Sequence, residues 1–356
     1  MTAQDSECEN TSLMPALQPH FVHLHVHSEY SVYDSLVRIE DLIDFCERDQ
    51  ARAIALTDQM NLFGLVKFYQ AAEKKKIKPI IGADLLIYAP QFPNKHFRML
   101  VLCKNNQGYD LLKKIISKAY LEGYDTLSGK AMDQSWLWDA ACSGHLILIA
   151  PSFYGEVYQT WKQNKWDQAE AILQTWQAQF PGDYFLEITR ISGEQELEFN
   201  KMLLNWAQKH QIPCVASNQV RFVETLDFEA HEARVCINQG YTLEDKTRPK
   251  HYTDEQYLRS TSEMQDLFSF CPSALENSVQ IAYRCNVTLK FGEVFLPNFL
   301  TPNQMPITQY LSALSQAGLE KILQKNPKPE QIKASYFKRL EIELKVINDM
   351  GFAGYF

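Results

Sequence analysis

The 356-residue sequence predicts an α/β domain followed by a mainly helical region. Between residues 21 and 220, short runs rich in β-forming residues alternate with helical patterns, as in a parallel sheet or barrel. In two of the helical segments, apolar residues recur at i, i+3, i+4 and i+7, the spacing of one helix face. A Pro-punctuated stretch at 297–306 then separates this domain from a further helix.

Seven strands are predicted in the first domain. That number favours a barrel related to the eight-stranded type, in which chemistry gathers at the carboxyl ends of the strands. Periodicity alone leaves a doubly wound open sheet as an alternative. The predicted strands are 21–27, 52–57, 79–88, 97–103, 145–150, 184–189 and 212–217.

The predicted helices present core-facing stripes. These comprise Leu112, Ile115, Ile116 and Ala119, then Ala169, Ile172, Leu173 and Trp176; further helices are predicted at 272–284 and around Phe337, Leu340, Leu344 and Ile347. We expect a disordered tail over 1–20, a barrel domain over 21–285, and a linker with the start of a second domain over 286–356. The chain ends inside this apparent second domain, which favours a truncation.

Composition indicates a soluble, cytoplasmic protein. The first twenty residues carry acids, no Lys or Arg and no apolar core of signal-peptide length. Eight scattered cysteines without a CxxC pair fit reduced thiols. The net charge of −8 argues against a free-standing nucleic-acid binder, because phosphate contact needs clustered Lys and Arg.

Three histidines mark a candidate metal site. His23, His25 and His27 alternate along the first predicted strand, so period 2 places them on one face. Imidazoles one residue apart on a strand can reach the same cation at the open end of a barrel. The plainer alternative is a polar face of hydrogen-bonded histidines.

Other predicted strand ends also carry polar groups, namely Asp34, Asp58, Asp84, Glu187, Asn218 and Arg221. One mouth of the barrel is therefore polar. A two- or three-metal phosphoesterase site nevertheless needs more His, Asp and Glu ligands than these positions supply.

Several segments carry a family resemblance. The sequence reads HLHVHSEYS at 23–31, ALTDQMNLFGLVKFY at 55–69 and IKPIIGAD at 77–84, with further matching stretches at 103–109, 215–218, 227–232, 283–288 and 350–356. In uninterrupted order these resemble the amino-terminal part of bacterial DNA polymerase III alpha subunits of the proteobacterial type. That part is a polymerase and histidinol phosphatase (PHP) domain followed by the start of the polymerase palm. The resemblance implies a distorted seven-stranded (β/α) barrel with a mainly helical start of the palm region.

In active members, the resemblance implies a metal site of nine positions. His25, His27 and Asp34 match it, and Asp84 stands for a Glu. The five positions that depart from the pattern are Gln59, Arg98, Ser152, Gln219 and Arg221. Because Arg is always protonated, Arg98 and Arg221 bring positive charge to where the cations would sit. We therefore predict a vestigial site in which these arginines pair with Asp34, Asp84 or Glu187, the alternative being that they point to solvent.

The resemblance also implies a function. The full-length parent would be a DNA-directed DNA polymerase whose magnesium-binding aspartates lie beyond Phe356, so the present chain would hold no catalytic residue and no bound cofactor. Its partners would be the proofreading exonuclease subunit, the sliding clamp, the clamp loader, DNA and dNTPs. The PHP domain would be a structural and docking module; the alternative is an active pyrophosphatase or 3′–5′ exonuclease. A metal-dependent amide hydrolase is the least favoured, since the later strand ends lack its ligands.

Overall fold

A computed structural model describes residues 21–88, 96–126, 129–138, 144–191, 193–293 and 299–356. The predicted tail over 1–20 lies outside these ranges. The chain divides into two compact units, one ending at Thr288 and the other spanning Leu289–Phe356. The predicted change of domain at 285/286 falls three residues before this division.

The first unit is mixed α/β and the second is helical. The strands are β1 (Ala53–Leu56), β2 (Lys78–Tyr88), β3 (His96–Cys103), β4 (Tyr124–Thr126), β5 (Gly129–Asp133), β6 (Leu146–Ala150), β7 (Tyr184–Ile188) and β8 (Cys214–Ala216). The helices are α1 (Ile39–Arg48), α2 (Leu65–Lys74), α3 (Asn106–Glu122), α4 (Glu156–Trp161), α5 (Trp166–Gln179), α6 (Glu194–His210), α7 (Phe228–Gln239), α8 (Thr261–Leu267), α9 (Pro272–Arg284), α10 (Ile307–Lys325) and α11 (Glu330–Asp349).

The strands of the first unit form a closed ring. The sheet runs from β1 through β2, β3, β6 and β7 to β8, and the segment 21–27 joins its two ends. On one side the Thr57 amide donates to the Val26 carbonyl at 2.9 Å. On the other side the Val220 amide donates to the His25 carbonyl at 3.0 Å. Six strands and one extended segment therefore make the predicted seven-membered barrel.

The predicted strand over 21–27 is not a regular strand, and that prediction was wrong. Its one ladder contact is the parallel bridge between Val26 and Val220. The physical reason lies in its neighbours. β1 has four residues and β8 has three, and Gln219, at φ 46°, turns the backbone before Val220. Neither neighbouring strand is long enough to pair with residues 21–27 along their whole length.

The direction of β3 also departs from the parallel pattern. β3 pairs antiparallel with both β2 and β6, whereas β6, β7 and β8 are parallel to one another. A hairpin of β4 and β5, which the sequence did not predict, extends the sheet through β5 alongside β2. Because β3 runs in reverse, its amino end lies at the same end of the barrel as the carboxyl ends of its neighbours.

The barrel interior changes from apolar to polar along its length. Side chains two or four residues apart on a strand lie on the same face. On three strands, the face that carries a residue of the apolar core therefore continues to a polar residue at the barrel mouth. The pairs that share a face are Ile80 and Asp84 on β2, Leu100 and Arg98 on β3, and Phe185 and Glu187 on β7. Ile80, Leu100 and Phe185 belong to one buried cluster with Val279 and Ala282 of α9.

The predicted helices are confirmed. The stripe of α3 is buried, as are Ala169, Leu173 and Trp176 of α5. Helix α9 has the predicted bounds, and α11 contains the predicted stripe of the second unit. Of the six cysteines in the described ranges, five are buried. Within these ranges, we find no helix whose length and apolar character would let it cross a membrane.

Gly108 is required by close packing rather than by conformation. A Cβ at this position of α3 would lie 2.2 Å from the carbonyl oxygen of His145. We predict that Gly108→Ala lowers the free energy of unfolding by about 1–3 kcal/mol through overpacking, although Ala is the better helix former. The measurement is urea unfolding followed by tryptophan fluorescence, since all six tryptophans lie in the first unit.

Gly318 of α10 is the matched control. It is an exposed helix position with nothing within 4 Å of a Cβ, so Gly318→Ala should stabilise its helix by about 0.5–1 kcal/mol. Because the second unit has no tryptophan, this change is followed by far-UV circular dichroism, and the fluorescence transition should stay that of the parent chain. A Gly108→Ala protein as stable as the parent chain would contradict the close approach.

Candidate functional site

The candidate site lies inside the barrel mouth, where polar side chains converge from every part of the ring. His25 and His27 come from the closing segment, Asp34 from the loop after it, and Asp58 and Gln59 from the end of β1. β2, β3 and β7 supply Asp84, Arg98 and Glu187, and the chain after β6 and β8 supplies Ser152, Gln219 and Arg221. All of these side chains are buried, and none is more than 9% exposed.

One oxygen of Asp84 is the centre of the site. Its Oδ2 lies 3.1 Å from Nη1 of Arg98, 3.2 Å from Nε2 of His27 and 3.5 Å from Nε2 of His25. The imidazoles of His25 and His27 therefore point at a carboxylate oxygen that also holds a guanidinium.

Asp34 forms the second centre. Its Oδ1 is 2.8 Å from Nδ1 of His27, so this imidazole bridges Asp34 and Asp84. Its Oδ2 receives Nη2 of Arg98 at 3.1 Å, Nε of Arg221 at 3.2 Å and the hydroxyl of Tyr252 at 3.0 Å. The predicted pairing of both arginines with carboxylates is thus confirmed, and neither points to solvent.

Glu187 pairs with a histidine instead of an arginine. Its Oε1 lies 2.7 Å from Nδ1 of His25. Its Oε2 accepts from the Gln219 amide side chain at 2.7 Å and from the Ser152 backbone amide at 3.2 Å. Gln219 through its side chain and Ser152 through its backbone therefore donate hydrogen bonds to Glu187.

Opposite charges inside the site shift the pKa values of its carboxyl groups. Burial alone would raise the pKa of Asp34, but His27, Arg221 and Arg98 have the larger, opposite effect and hold that pKa well below its ordinary value. Burial would likewise raise the pKa of Asp84, but Arg98 and the two histidines outweigh burial, so this pKa is also lowered. The guanidiniums therefore favour the ionised form of both carboxyl groups.

The protonation of His25 follows from its partners. Burial lowers its pKa, whereas the charge of Glu187 and the contact with Asp84 raise it, and the net effect is a raised pKa. Burial would raise the pKa of Glu187, but the charge of His25 and its hydrogen bond outweigh burial, so this pKa is lowered. His25 thus lies between two carboxylates that favour its protonated form.

Asp58 and Gln59 are fixed by the loop that precedes Asp34. Asp58 accepts from the Ser28 amide at 2.6 Å and from the Ser31 hydroxyl at 2.7 Å, while burial raises its pKa. The Gln59 side-chain oxygen accepts from Nη2 of Arg98 at 2.5 Å. Gln59, one of the five positions at which the resemblance implies a departure from the metal-site pattern, therefore holds the guanidinium.

The third histidine of the motif lies apart from the cluster. Nε2 of His23 is 2.8 Å from the carbonyl oxygen of Arg259, and burial lowers its pKa to about 4. The face shared by all three histidines is therefore divided, because the segment is not a regular strand. For His23, the plainer expectation of a hydrogen-bonded histidine is the correct one.

The residues present do not fit a cluster of divalent ions. His25, His27 and Asp84 offer ligand atoms within 4.8 Å of one another. The guanidinium of Arg98, however, lies against the same Asp84 oxygen, and Arg221 is paired to Asp34. A cation at this triad would meet a fixed positive charge that cannot be deprotonated.

Two side chains from later in the chain also reach Asp34. The sequence predicts His231 as a hydrogen-bonding residue on a helix face, and its Nε2, on α7, lies 2.9 Å from the backbone carbonyl of Asp34. The sequence does not predict that Tyr252 binds the Asp34 side chain. Tyr252 is 218 positions from Asp34 in the chain. No local pattern marks it as a site residue, although the cluster of Tyr, Arg and Pro around it is unusual in composition.

Known proteins match this chain over most of its length. A PHP-domain family model matches residues 23–191. The DNA polymerase III subunit alpha of Vibrio cholerae is 42% identical over 342 residues, which is 95% of this chain and 29% of that protein. The protein of the same name from Escherichia coli K12 is 40% identical over 343 residues, again 95% and 29%. The chain thus spans about 29% of the length of these relatives.

Among solved structures, an amidohydrolase from Chromobacterium violaceum is 14% identical and aligns over 55% of this chain and 86% of its own, with a TM-score of 0.36. At that TM-score the likeness says nothing about function. The sequence relatives are decisive. With about 40% identity over almost its entire length, and with a PHP domain at 23–191, the chain belongs to the family of bacterial DNA polymerase III alpha subunits.

Proposed function

We propose that the chain is the amino-terminal part of a replicative DNA polymerase, and that its PHP barrel is a structural and docking module rather than a phosphoesterase. In this proposal the barrel stabilises the polymerase and docks the proofreading exonuclease subunit. His25, His27, Asp34 and Asp84 are the remnant of a metal site, and Gln59, Arg98, Ser152, Gln219 and Arg221 are its substituted positions.

One observation carries this proposal. Arg98 and Arg221 are ion-paired to Asp34 and Asp84, and every one of these four side chains is at most 9% exposed. Breaking a buried ion pair leaves an uncompensated charge in the interior, so such a network is a structural element. The charge that cations would bring is supplied by the chain itself.

The activity proposed for the full-length protein is inferred from its relatives. We propose that nucleotide addition belongs to the full-length protein, with magnesium held by palm aspartates outside this chain, and that residues 286–356 are the linker and the beginning of the palm. DNA and dNTPs, the sliding clamp and the clamp loader would be partners of the full-length protein, in the cytoplasm.

A second candidate function rests on the remaining triad. The ligand atoms of His25, His27 and Asp84 lie close enough to hold one cation, as a metal-dependent pyrophosphatase or 3′–5′ exonuclease would require. This function would need Arg98 to leave Asp84.

Metal content separates the two candidates. After dialysis against traces of zinc, manganese and magnesium, we expect mass spectrometry to find far less than one ion per chain, because Arg98 occupies the shared oxygen. Two or three ions bound per chain would contradict the structural reading. Pyrophosphatase and 3′ exonuclease activities that require His25 and Asp84 would then be expected.

Arg221 tests the structural role. Arg221→Met keeps much of the side-chain volume but leaves Asp34 with one arginine, so we predict a loss of about 3–5 kcal/mol in the free energy of unfolding. Urea unfolding measures it. Arg52→Met, which removes an exposed arginine of the same unit, should change stability by less than about 0.5 kcal/mol. Equal stability of the Arg221→Met and parent chains would argue that the pairing has no structural role.

Docking of the exonuclease is tested directly. We expect the purified chain to bind the proofreading exonuclease subunit of the same bacterium with one-to-one stoichiometry in isothermal titration calorimetry. Because the proposed role needs no metal, treating this chain alone with EDTA and removing the chelator before the titration should leave the affinity unchanged. Absence of binding at micromolar concentrations would contradict the docking role, and a loss of binding after that treatment would indicate that the PHP domain holds a metal.

A further inference from the structure

Residues 248–258, here called the strap, cross the barrel mouth without forming a helix or a ladder of their own. Their one ladder contact is the parallel bridge between Phe222 and Tyr257. An irregular segment must satisfy its backbone polar groups elsewhere. The strap does so through the residues that follow β8.

Backbone and amide contacts hold the second half of the strap. The side-chain amide of Asn218 donates to the carbonyls of Glu255 at 2.8 Å and Tyr257 at 2.6 Å. The Arg221 amide donates to the Gln256 carbonyl at 2.9 Å. The strap is therefore tied to the strand end that carries Arg221.

The first half of the strap depends on side chains. Arg248 pairs with Glu232 of α7, and the Tyr154 hydroxyl donates to the His251 carbonyl at 2.8 Å. The Tyr252 hydroxyl donates to Oδ2 of Asp34 at 3.0 Å. Only this last contact joins the strap side chains directly to the buried charge cluster among the described residues.

Tyr252 also covers Asp34. A cavity of about 510 Å³ lies beside the strap, and its lining includes Tyr252, Arg98 and Tyr154 but not Asp34. Tyr252 and Arg98 both bind Asp34 Oδ2, so these two side chains stand between the cavity and the carboxylate. Moving Tyr252 away would open Asp34 toward the cavity.

We infer that the strap is a latched cover of the barrel mouth, that the Tyr252–Asp34 hydrogen bond is its latch, and that opening of the strap and exposure of the charge cluster are one event. A hydrogen bond to an ionised group is stronger than one between neutral groups, and here the carboxylate of Asp34 is buried and Tyr252 is half-buried. The Tyr252 hydroxyl remains a donor, since burial and the neighbouring Asp34 carboxylate raise the pKa of Tyr252 well above its ordinary value. The coupling is reciprocal. Displacing Asp34 therefore loosens the strap, and loosening the strap frees Asp34.

Hydrogen–deuterium exchange of the full chain tests the latch. Tyr252→Phe removes one hydroxyl and keeps the ring, so we expect strap amides, including those of Gln256 and Leu258, to exchange about tenfold faster or more. By reciprocity, the amides of residues 28–35 should lose protection as well. Amides of α5, which lies elsewhere in the unit, should keep their rates.

Tyr257→Phe is the matched control. Tyr257 is in the strap, but its hydroxyl donates to Glu263, outside the charge cluster. We expect residues 28–35 to keep their exchange rates in this variant. The inference is overturned if Tyr252→Phe leaves strap exchange unchanged, if it accelerates the strap without residues 28–35, or if α5 accelerates by the same factor.

Discussion

The guanidinium of Arg98, held between the carboxylates of Asp84 and Asp34, is the interaction on which the barrel mouth depends. Both carboxylates are within 3.1 Å of it, and none of the three side chains has appreciable contact with water. Removing such ions from water costs several kcal/mol each, and their attraction offsets that cost only when further hydrogen bonds complete the geometry. Gln59, His27 and Tyr252 supply those bonds. The polar end of the barrel is therefore interdependent.

Four polar side chains of the ring complete this network. Arg98 and Arg221 provide charge, Gln59 accepts a hydrogen bond from the first guanidinium, and Gln219 donates to Glu187. The Ser152 side chain instead pairs with the Thr189 hydroxyl, and only its backbone amide reaches Glu187. A buried carboxylate without a partner would be costly. Asp34, Asp84 and Glu187 each have a cationic or hydrogen-bonding partner in this set, as the proposed structural role requires.

Much of the fold could be predicted because its signals are local. The six strands of the ring lie within two residues of their predicted bounds, and the stripe of α3 follows directly from apolar spacing. The direction of β3 could not be predicted, because a strand that is buried along most of its length reads the same in either direction. The irregular backbone of residues 21–27 could not be predicted either, because it depends on the lengths of β1 and β8. The sequence could suggest that Arg98 and Arg221 pair with carboxylates, but the contact of Tyr252 with Asp34 joins residues 218 positions apart.

The reversed direction of β3 places a fixed positive charge at the barrel mouth. Because Arg98 lies near the amino end of an antiparallel strand, its long side chain is at the same mouth of the barrel as the histidines of the closing segment. The positive charge is then carried by a covalent part of the chain and needs no soluble factor. On the proposed reading, assembly of this barrel would be indifferent to metal starvation and to chelators. A protein that contains this barrel would then fold in full under conditions in which a metal-bound barrel would be left incomplete.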